Sequence, residues 1–257
     1  MPTRGRDRAR GYVRPLYNAL AVLMGAPGAD VFYDGGYLAG LTKDGSENVS
    51  NLASRIGVHT VASSGGNRPV WGATSPSGAR GIAFTAASSH RLVDPLTTLG
   101  GLYDDVQAYS WLWVGKIAAP TTAQRTFSFG NAGSTTDIIS SSTVSGTGVD
   151  RFQRINAAGG LTTNDGSAHS TAIVCHTGVF TGSAVSSWLN GTLSINAGAN
   201  TRAPACDQFM IGALRTAGAY TAHFGGEFYA LILSRSQWTT TERQALERAA
   251  KTYWGTP

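Results

Sequence analysis

Phe224–Trp254 reads F-G-G-E-F-Y-A-L-I-L-S-R-S-Q-W-T-T-T-E-R-Q-A-L-E-R-A-A-K-T-Y-W. An apolar run closes on Ser234-Arg235, and a helical pattern follows after a few residues. Alternation assigns Phe228, Ala230 and Ile232 to one face of a strand, and Glu227, Tyr229, Leu231 and Leu233 to the other. Thr239 and Glu242 have the spacing of a capping box. Leu246, Ala249, Ala250 and Tyr253 then form the apolar stripe of a closing helix. A strand that feeds one terminal helix predicts an all-β sandwich with a short C-terminal helix.

Working back from this stretch, Asp207–Ala213 (D-Q-F-M-I-G-A) is a strand ended by Gly212. Ser186–Ile195 is a hairpin around Asn190-Gly191, a pair suited to the positive φ angles of a type I′ turn. Thr171–Phe180 is a buried strand. Tyr109–Ile117 (Y-S-W-L-W-V-G-K-I) is apolar at both parities, which predicts a central strand covered on both faces. R-T-F-S-F-G from Arg125, D-I-I-S from Asp137 and R-F-Q-R-I-N from Arg151 are further short strands separated by Gly/Ser/Thr turns. Ile82 and Phe84 mark a half-buried strand. The 33 glycines and the 14% charged residues suit many strands joined by tight turns.

The formal charge of +5 is uneven. Arg4, Arg6, Arg8, Arg10 and Arg14 against Asp7 place four of those charges before residue 15 and leave the rest at +1. A nucleic-acid groove on the body is thereby disfavoured. The basic arm predicts a segment that orders on a partner. Leu16, Leu20, Leu23 and Met24 follow Pro15 at helical spacing, as a short helix or anchor. We divide the chain into a basic arm and anchoring segment at 1–24 and one domain at 25–257. The start imitates a secretory leader, but its apolar run is short and interrupted by Asn18; we read it as retained. Nothing approaches the ~20 apolar residues of a membrane-spanning helix, so no membrane insertion is expected. Cys175 and Cys206 each border an apolar run and read as buried thiols or as one bridge.

The residues offer little catalytic chemistry. No pair of carboxylates stands at alternate strand positions, and Asp104-Asp105 are adjacent and would face opposite ways. Glu227 stands alone in its strand, and we expect no enzyme. The five histidines (His59, His90, His169, His176 and His223) show no H-E-x-x-H or H-x-x-x-H spacing, so no metal is expected from spacing. No cofactor is expected; Ca2+ has no D-x-D-x-D run to hold it. Sugar recognition needs exposed rings beside polar groups. The loop candidates are Trp71 near Asn67 and Arg68, Tyr103 near Asp104 and Asp105, and Tyr220 near His223. For each ring a core position is the commoner outcome in a sandwich. Trp111, Trp113 and Trp188 read as core.

The order of the W-x-W-V strand, W-L-N-G-T-L hairpin, F-M-I-G strand, F-G-G-E-F-Y-A-L-I-L-S-R strand and T-x-x-E-R helix resembles concanavalin A-like lectin/glucanase domains. Within them it is similar to the laminin G-like type found in bacteriophage virion proteins. Trp188-Leu189-Asn190-Gly191 stands where that family has tyrosine-valine-asparagine-glycine. Phe224, Gly226, Phe228 and Arg235 match its last strand. The likeness covers about residues 30–257, and its motifs are structural. It implies a jelly roll of two packed antiparallel sheets with an extended N-terminal arm. For function it implies a non-enzymatic virion protein, a capsid decoration or tail component. Its partners would be other virion proteins, its own copies and a cell-surface glycan. The docking residues would be Arg4, Arg6, Arg8, Arg10, Arg14, Leu16 and Leu20. A free carbohydrate-binding module is the alternative, with a glycoside hydrolase behind it.

Overall fold

The computed structural model describes residues 6–94, 99, 103, 107–131, 133, 134, 136–156, 161–201, 204–216 and 218–257, with 6–14 described by their backbone. The chain opens with α1 (Arg6–Met24), then β1 (Ala29–Asp34), β2 (Leu41–Lys43), β3 (Val49–Ala53), β4 (Thr60–Ala62), β5 (Val70–Thr74), β6 (Arg80–Phe84) and β7 (Leu92–Val93). The middle supplies β8 (Tyr109–Ile117), β9 (Gln124–Gly130), β10 (Ile138–Thr143), β11 (Val149–Ile155), β12 (Leu161–Ala168) and β13 (Ile173–Phe180). Then come β14 (Ala184–Leu189), β15 (Thr192–Ala199), β16 (Gln208–Ile211), β17 (Leu214–Thr216), β18 (Ala219–Thr221), β19 (Gly226–Ser234) and α2 (Thr240–Trp254).

Two antiparallel sheets form the sandwich expected from the sequence. Sheet A runs β15-β14-β13-β8-β19-β6-β5, with β1 also on β19; sheet B runs β12-β11-β10-β9-β16-β7-β4-β3-β2. Their inner faces meet over Trp111, Trp113, Phe127, Phe129, Phe152, Phe209, Phe224 and Phe228. Trp111 stacks on Phe152 across the layer, with centroids 5.0 Å apart and planes at 12°. Neutral, aromatic-rich inner faces of this kind supply most of the burial that drives folding.

The other face of sheet A is also covered. Ala19 and Leu23 of α1, and Leu246, Ala249, Ala250 and Trp254 of α2, pack on Phe32, Leu112, Val114 and Ile232. This explains why Tyr109–Ile117 is apolar at both parities: β8 lies between β13 and β19 and beneath both helices. The layers are therefore helices, sheet A and sheet B, and the outer face of sheet B is covered in part, with Ser128, Ser140, Ser142 and Met210 buried beside the β17–β18 hairpin.

Local chemistry sets the ends of these elements. The Asn190-Gly191 turn has φ of 51° and 80°, so both central residues take the left-handed region that a type I′ turn requires. Thr239 caps α2 reciprocally with Glu242, and Gly255 ends it at φ 71°. Cys175 lies on the helix side of sheet A and Cys206 in the inner core, so no disulfide joins the two buried cysteines.

Three local expectations need correction. The strict alternation in β19 breaks at a bulge between Phe228 and Ala230. Phe228, Leu231 and Leu233 face the inner core, while Tyr229, Ala230 and Ile232 face the helices. One extra residue flips parity, which periodicity alone cannot register. In α2 the fully buried aromatic is Trp254, with Tyr253 half-buried. The basic segment is helical from Arg6 onward, with Pro15 inside α1 and not at its first turn. No described helix is long and apolar enough to cross a membrane.

Candidate functional site on the outer face of sheet B

Inward residues of sheet B are Val61, Leu92, Phe209, Phe127, Ile139 and Phe152, so their neighbours point outward. Strand register aligns an outward row across the sheet: Asn51, Ala62, Val93, Met210, Ser128, Ser140, Gln153 and Thr163. A second row holds Arg125, Ser142, Arg151 and Asp165. Hydroxyls, amides and guanidinium groups dominate where the inner face is aromatic. The β17–β18 hairpin lies on this outer face: Ser128 Oγ donates to the Ala213 carbonyl at 2.6 Å. A Cβ on Gly130 would sit 2.6 Å from the Arg215 carbonyl oxygen, so glycine permits this close approach.

Beside the hairpin opens a groove of about 210 Å³ lined by Ala62, Ser63, Ser64, Arg91, Val93 and Tyr220. Tyr220 is carried on β18 and is half-buried. The Arg91 guanidinium carbon lies 4.0 Å from the Tyr220 ring centroid, and that of Arg215 lies 5.2 Å away. Cation–ring contacts of this kind contribute roughly 0.5–2 kcal/mol each and hold the side chains in register. Arg91 Nη1 donates to the Ser89 carbonyl at 3.1 Å. Arg215 Nη1 donates to Gln208 Oε1 at 2.6 Å, whereas its buried Nε has no hydrogen-bond partner.

Arg125, on the same face, donates from Nη2 to Gln153 at 2.9 Å, and its buried Nε is also unpartnered. Burial, and then the nearby Arg151 charge, push the Arg125 guanidinium down to about 10. His223 is held below its usual value by burial and then by the Arg91 charge. Arg151 is neutralised by Asp165 at 2.6 Å. None of the ion pairs among the described residues involves Arg91, Arg125 or Arg215. Among the described residues this side therefore carries three arginines outside any ion pair, a local positive charge that favours an anionic ligand.

The residues singled out from the sequence do not gather in one place. Tyr220 and its neighbour His223 belong to the groove region. Tyr103 is 2% exposed, its hydroxyl donating to Asp30 at 2.7 Å and its ring packed on Tyr109 and Phe129. It is a core residue and cannot stack on sugar. Asp104, Asp105 and Arg4 lie outside the described residues. Trp71 sits at the edge of sheet A, half-buried, with Nε1 donating to the Gly35 carbonyl and Lys43 and Arg80 beside its ring. Arg68 is paired with Asp44 at 3.1 Å. Leu16 and Leu20 line an apolar groove of about 330 Å³ with Tyr17 and Tyr253, between α1 and α2. The side chains of Arg6, Arg8, Arg10 and Arg14 lie outside the description.

The sequence also missed Arg91, Arg125 and Arg215, because only the packing of the β17–β18 hairpin on sheet B brings them to one side. It missed a second cluster altogether. Asp150, His169 and His176 offer ligand atoms within 4.8 Å of one another, all three buried. The histidine spacing gave no hint, since the donors come from β11, the β12–β13 link and β13. Glu227 faces Lys116 at 3.5 Å and accepts from the Tyr229 hydroxyl.

No protein-family model matches this chain, and no curated protein matches it. Solved structures do. One is the CBM40 domain of a Ruminococcus gnavus IT-sialidase bound to alpha2,3 sialyllactose, at 14% identity and TM-score 0.48, covering 55% of this chain and 82% of that one. Another is a sialidase from Streptococcus pneumoniae, at 14% identity and TM-score 0.48, covering 59% of this chain and 25% of that one. A third is the Trypanosoma rangeli sialidase, at 12% identity and TM-score 0.58, covering 97% of this chain. This chain spans 40% of the length of that sialidase. At such identities the likeness is one of fold, and the chain is similar to β-sandwich domains found in or beside sialidases.

Proposed function

We propose that this domain is a non-catalytic glycan-binding module that takes a carboxylate-bearing sugar on the outer face of sheet B. The observation that carries the reading is the Arg91–Tyr220–Arg215 cluster at the rim of a groove lined by Ser63 and Ser64. A guanidinium fork matches a sugar carboxylate, and serine hydroxyls match ring hydroxyls. Tyr220 supplies an amphipathic ring for the sugar's apolar face. Among the described residues no carboxylate lines the groove, which supports binding over glycoside cleavage there.

The test is a glycan array and calorimetry with sialylated, uronate-containing and neutral glycans, on the parent chain and on Arg91→Ala and Tyr220→Ala. The expected result is selective binding of acidic glycans that weakens with salt and drops about tenfold or more in each variant. Absence of acidic-glycan binding, or full binding by Arg91→Ala, overturns the reading.

A second reading is display on a virion particle, with or without glycan binding. It is favoured by the five arginines before residue 15 and by the exposed Tyr17, Val22 and Met24 of α1. A chain lacking residues 1–14 should fold and fail to join the particle; unchanged incorporation overturns this reading.

A further inference from the structure

At the edge of the sandwich where β12 and β15 approach, a polar cluster interrupts the inner core. Asp150 enters from β11 of sheet B and His176 from β13 of sheet A, each at most 1% exposed. His169 follows β12, and its backbone is fixed by a 2.9 Å hydrogen bond to the Gly148 carbonyl. His176 Nε2 lies 3.3 Å from Asp150 Oδ2, and His169 Nε2 lies 3.7 Å from Asp150 Oδ1. The two imidazoles are 5.9 Å apart, nearly perpendicular. Ser187 and Ser194, from β14 and β15, donate to Asp150 Oδ2 at 2.7 and 3.0 Å.

These contacts are close, yet they are not aligned hydrogen bonds. Asp150 Oδ1, His169 Nδ1 and His176 Nε2 are all buried and without a hydrogen-bond partner. A buried carboxylate beside two imidazoles needs well-made hydrogen bonds to offset its desolvation. Misaligned donors at this spacing suit a shared cation better. Ligand distances of about 2.0–2.1 Å around a tetrahedral zinc ion put neighbouring ligand atoms roughly 3.3–3.4 Å apart. The 3.3 Å from His176 Nε2 to Asp150 Oδ2 matches that edge, and one ligand atom from each of the three residues lies within 4.8 Å of the others. Two imidazole nitrogens and one carboxylate are a borderline donor set, which selects zinc over calcium or magnesium. The outer shell is also in place: the two serines orient the carboxylate, and Ser141 Oγ is 3.4 Å from His176 Nδ1.

We propose that Asp150, His169 and His176 form a structural zinc site that ties sheet B to sheet A at this edge of the sandwich. The ligands come from three separate segments, so they converge only in the folded chain. Bound metal therefore stabilises the native state by linkage and closes the edge, where Ser167 and Ser194 already bond across.

The test uses the full chain produced and refolded with zinc, then dialysed. Metal content is measured by mass spectrometry, thermal unfolding is followed with zinc or with chelator, and cobalt is substituted for its visible spectrum. The expected result is about one zinc per chain, a four-coordinate cobalt spectrum, and an unfolding temperature about 5–10 °C higher with zinc than with chelator. Zinc content should be lost in His169→Gln and in His176→Gln. Asp150→Asn risks misfolding, so the zinc-versus-chelator comparison on the unaltered chain stands on its own. No retained zinc together with identical unfolding in zinc and chelator overturns the proposal, leaving a buried imidazole–carboxylate cluster. Undiminished zinc in both His169→Gln and His176→Gln also overturns it, since the ion would then sit elsewhere.

Discussion

Trp111 lies over Gly178, its neighbour on the adjoining strand. A Cβ at position 178 would come within 1.9 Å of the indole. Trp113 covers Gly115 in the same way, at 2.2 Å. The two indoles fill the inner layer only because these glycines present no side chain. Gly178→Ala should therefore force a fully buried indole to move and cost about 1–3 kcal/mol or more. Gly45 is the control, with nothing within 4 Å of its would-be Cβ and an ordinary φ. Urea unfolding of both variants checks this; equal midpoints for Gly178→Ala and Gly45→Ala would show that the Trp111 contact is not tight. At this scale the sequence was legible for Trp111 and Trp113, which are core as expected. It was silent on which loop aromatic stays accessible. Tyr103 and Tyr220 both stand in polar stretches of sequence, and only packing put one in the core and the other at a groove.

Among the elements, α1 shows how a segment can carry two roles. Its basic start reads as an arm for a partner, but Ala19 and Leu23, 6% and 0% exposed, pack against α2 and sheet A. Removing residues 1–14 should leave the unfolding midpoint nearly unchanged. Removing 1–24 should lower stability by several kcal/mol, because deleting buried apolar side chains costs about 2–5 kcal/mol each for residues of leucine size. Thermal unfolding of the two truncated chains distinguishes them, and equal stability would mean that α1 does not seal the helix layer. The helix was legible from its spacing only after Pro15, since arginines and glycines before it carry no apolar stripe. The bulge in β19 was illegible for a related reason: strand period fixes which residues alternate but not where an extra residue is inserted.

Over the whole molecule, buried histidines couple folding to pH. His90 is pushed below its ordinary 6.5 by burial, and its Nδ1 accepts the Thr85 N–H at 3.0 Å. His223 is lowered by burial and then by Arg91. A group whose folded pKa is depressed below its unfolded value contributes stability that is fully present above 6.5 and is lost as pH falls through the folded pKa. The unfolding temperature should therefore be level from pH 8 to about 7 and fall on acidification. Imidazole titration by NMR should place both groups below 6.5, and a midpoint at or above that value for His90 would contradict the packing around it.

The sequence by itself determined the class of the molecule: strand periodicity, the Asn190-Gly191 turn and the Thr239–Glu242 cap are local, and local physics places them. It also located the charge of the N-terminal segment. Which residues share a face was decided by tertiary structure. Arg91, Arg125 and Arg215 come from three stretches that the packing of the β17–β18 hairpin on sheet B brings to one side of the sandwich, and Asp150, His169 and His176 meet where the two sheets close on each other. Both sites depend on register and on sheet-to-sheet packing, which arise from long-range burial and leave no fixed spacing in the chain.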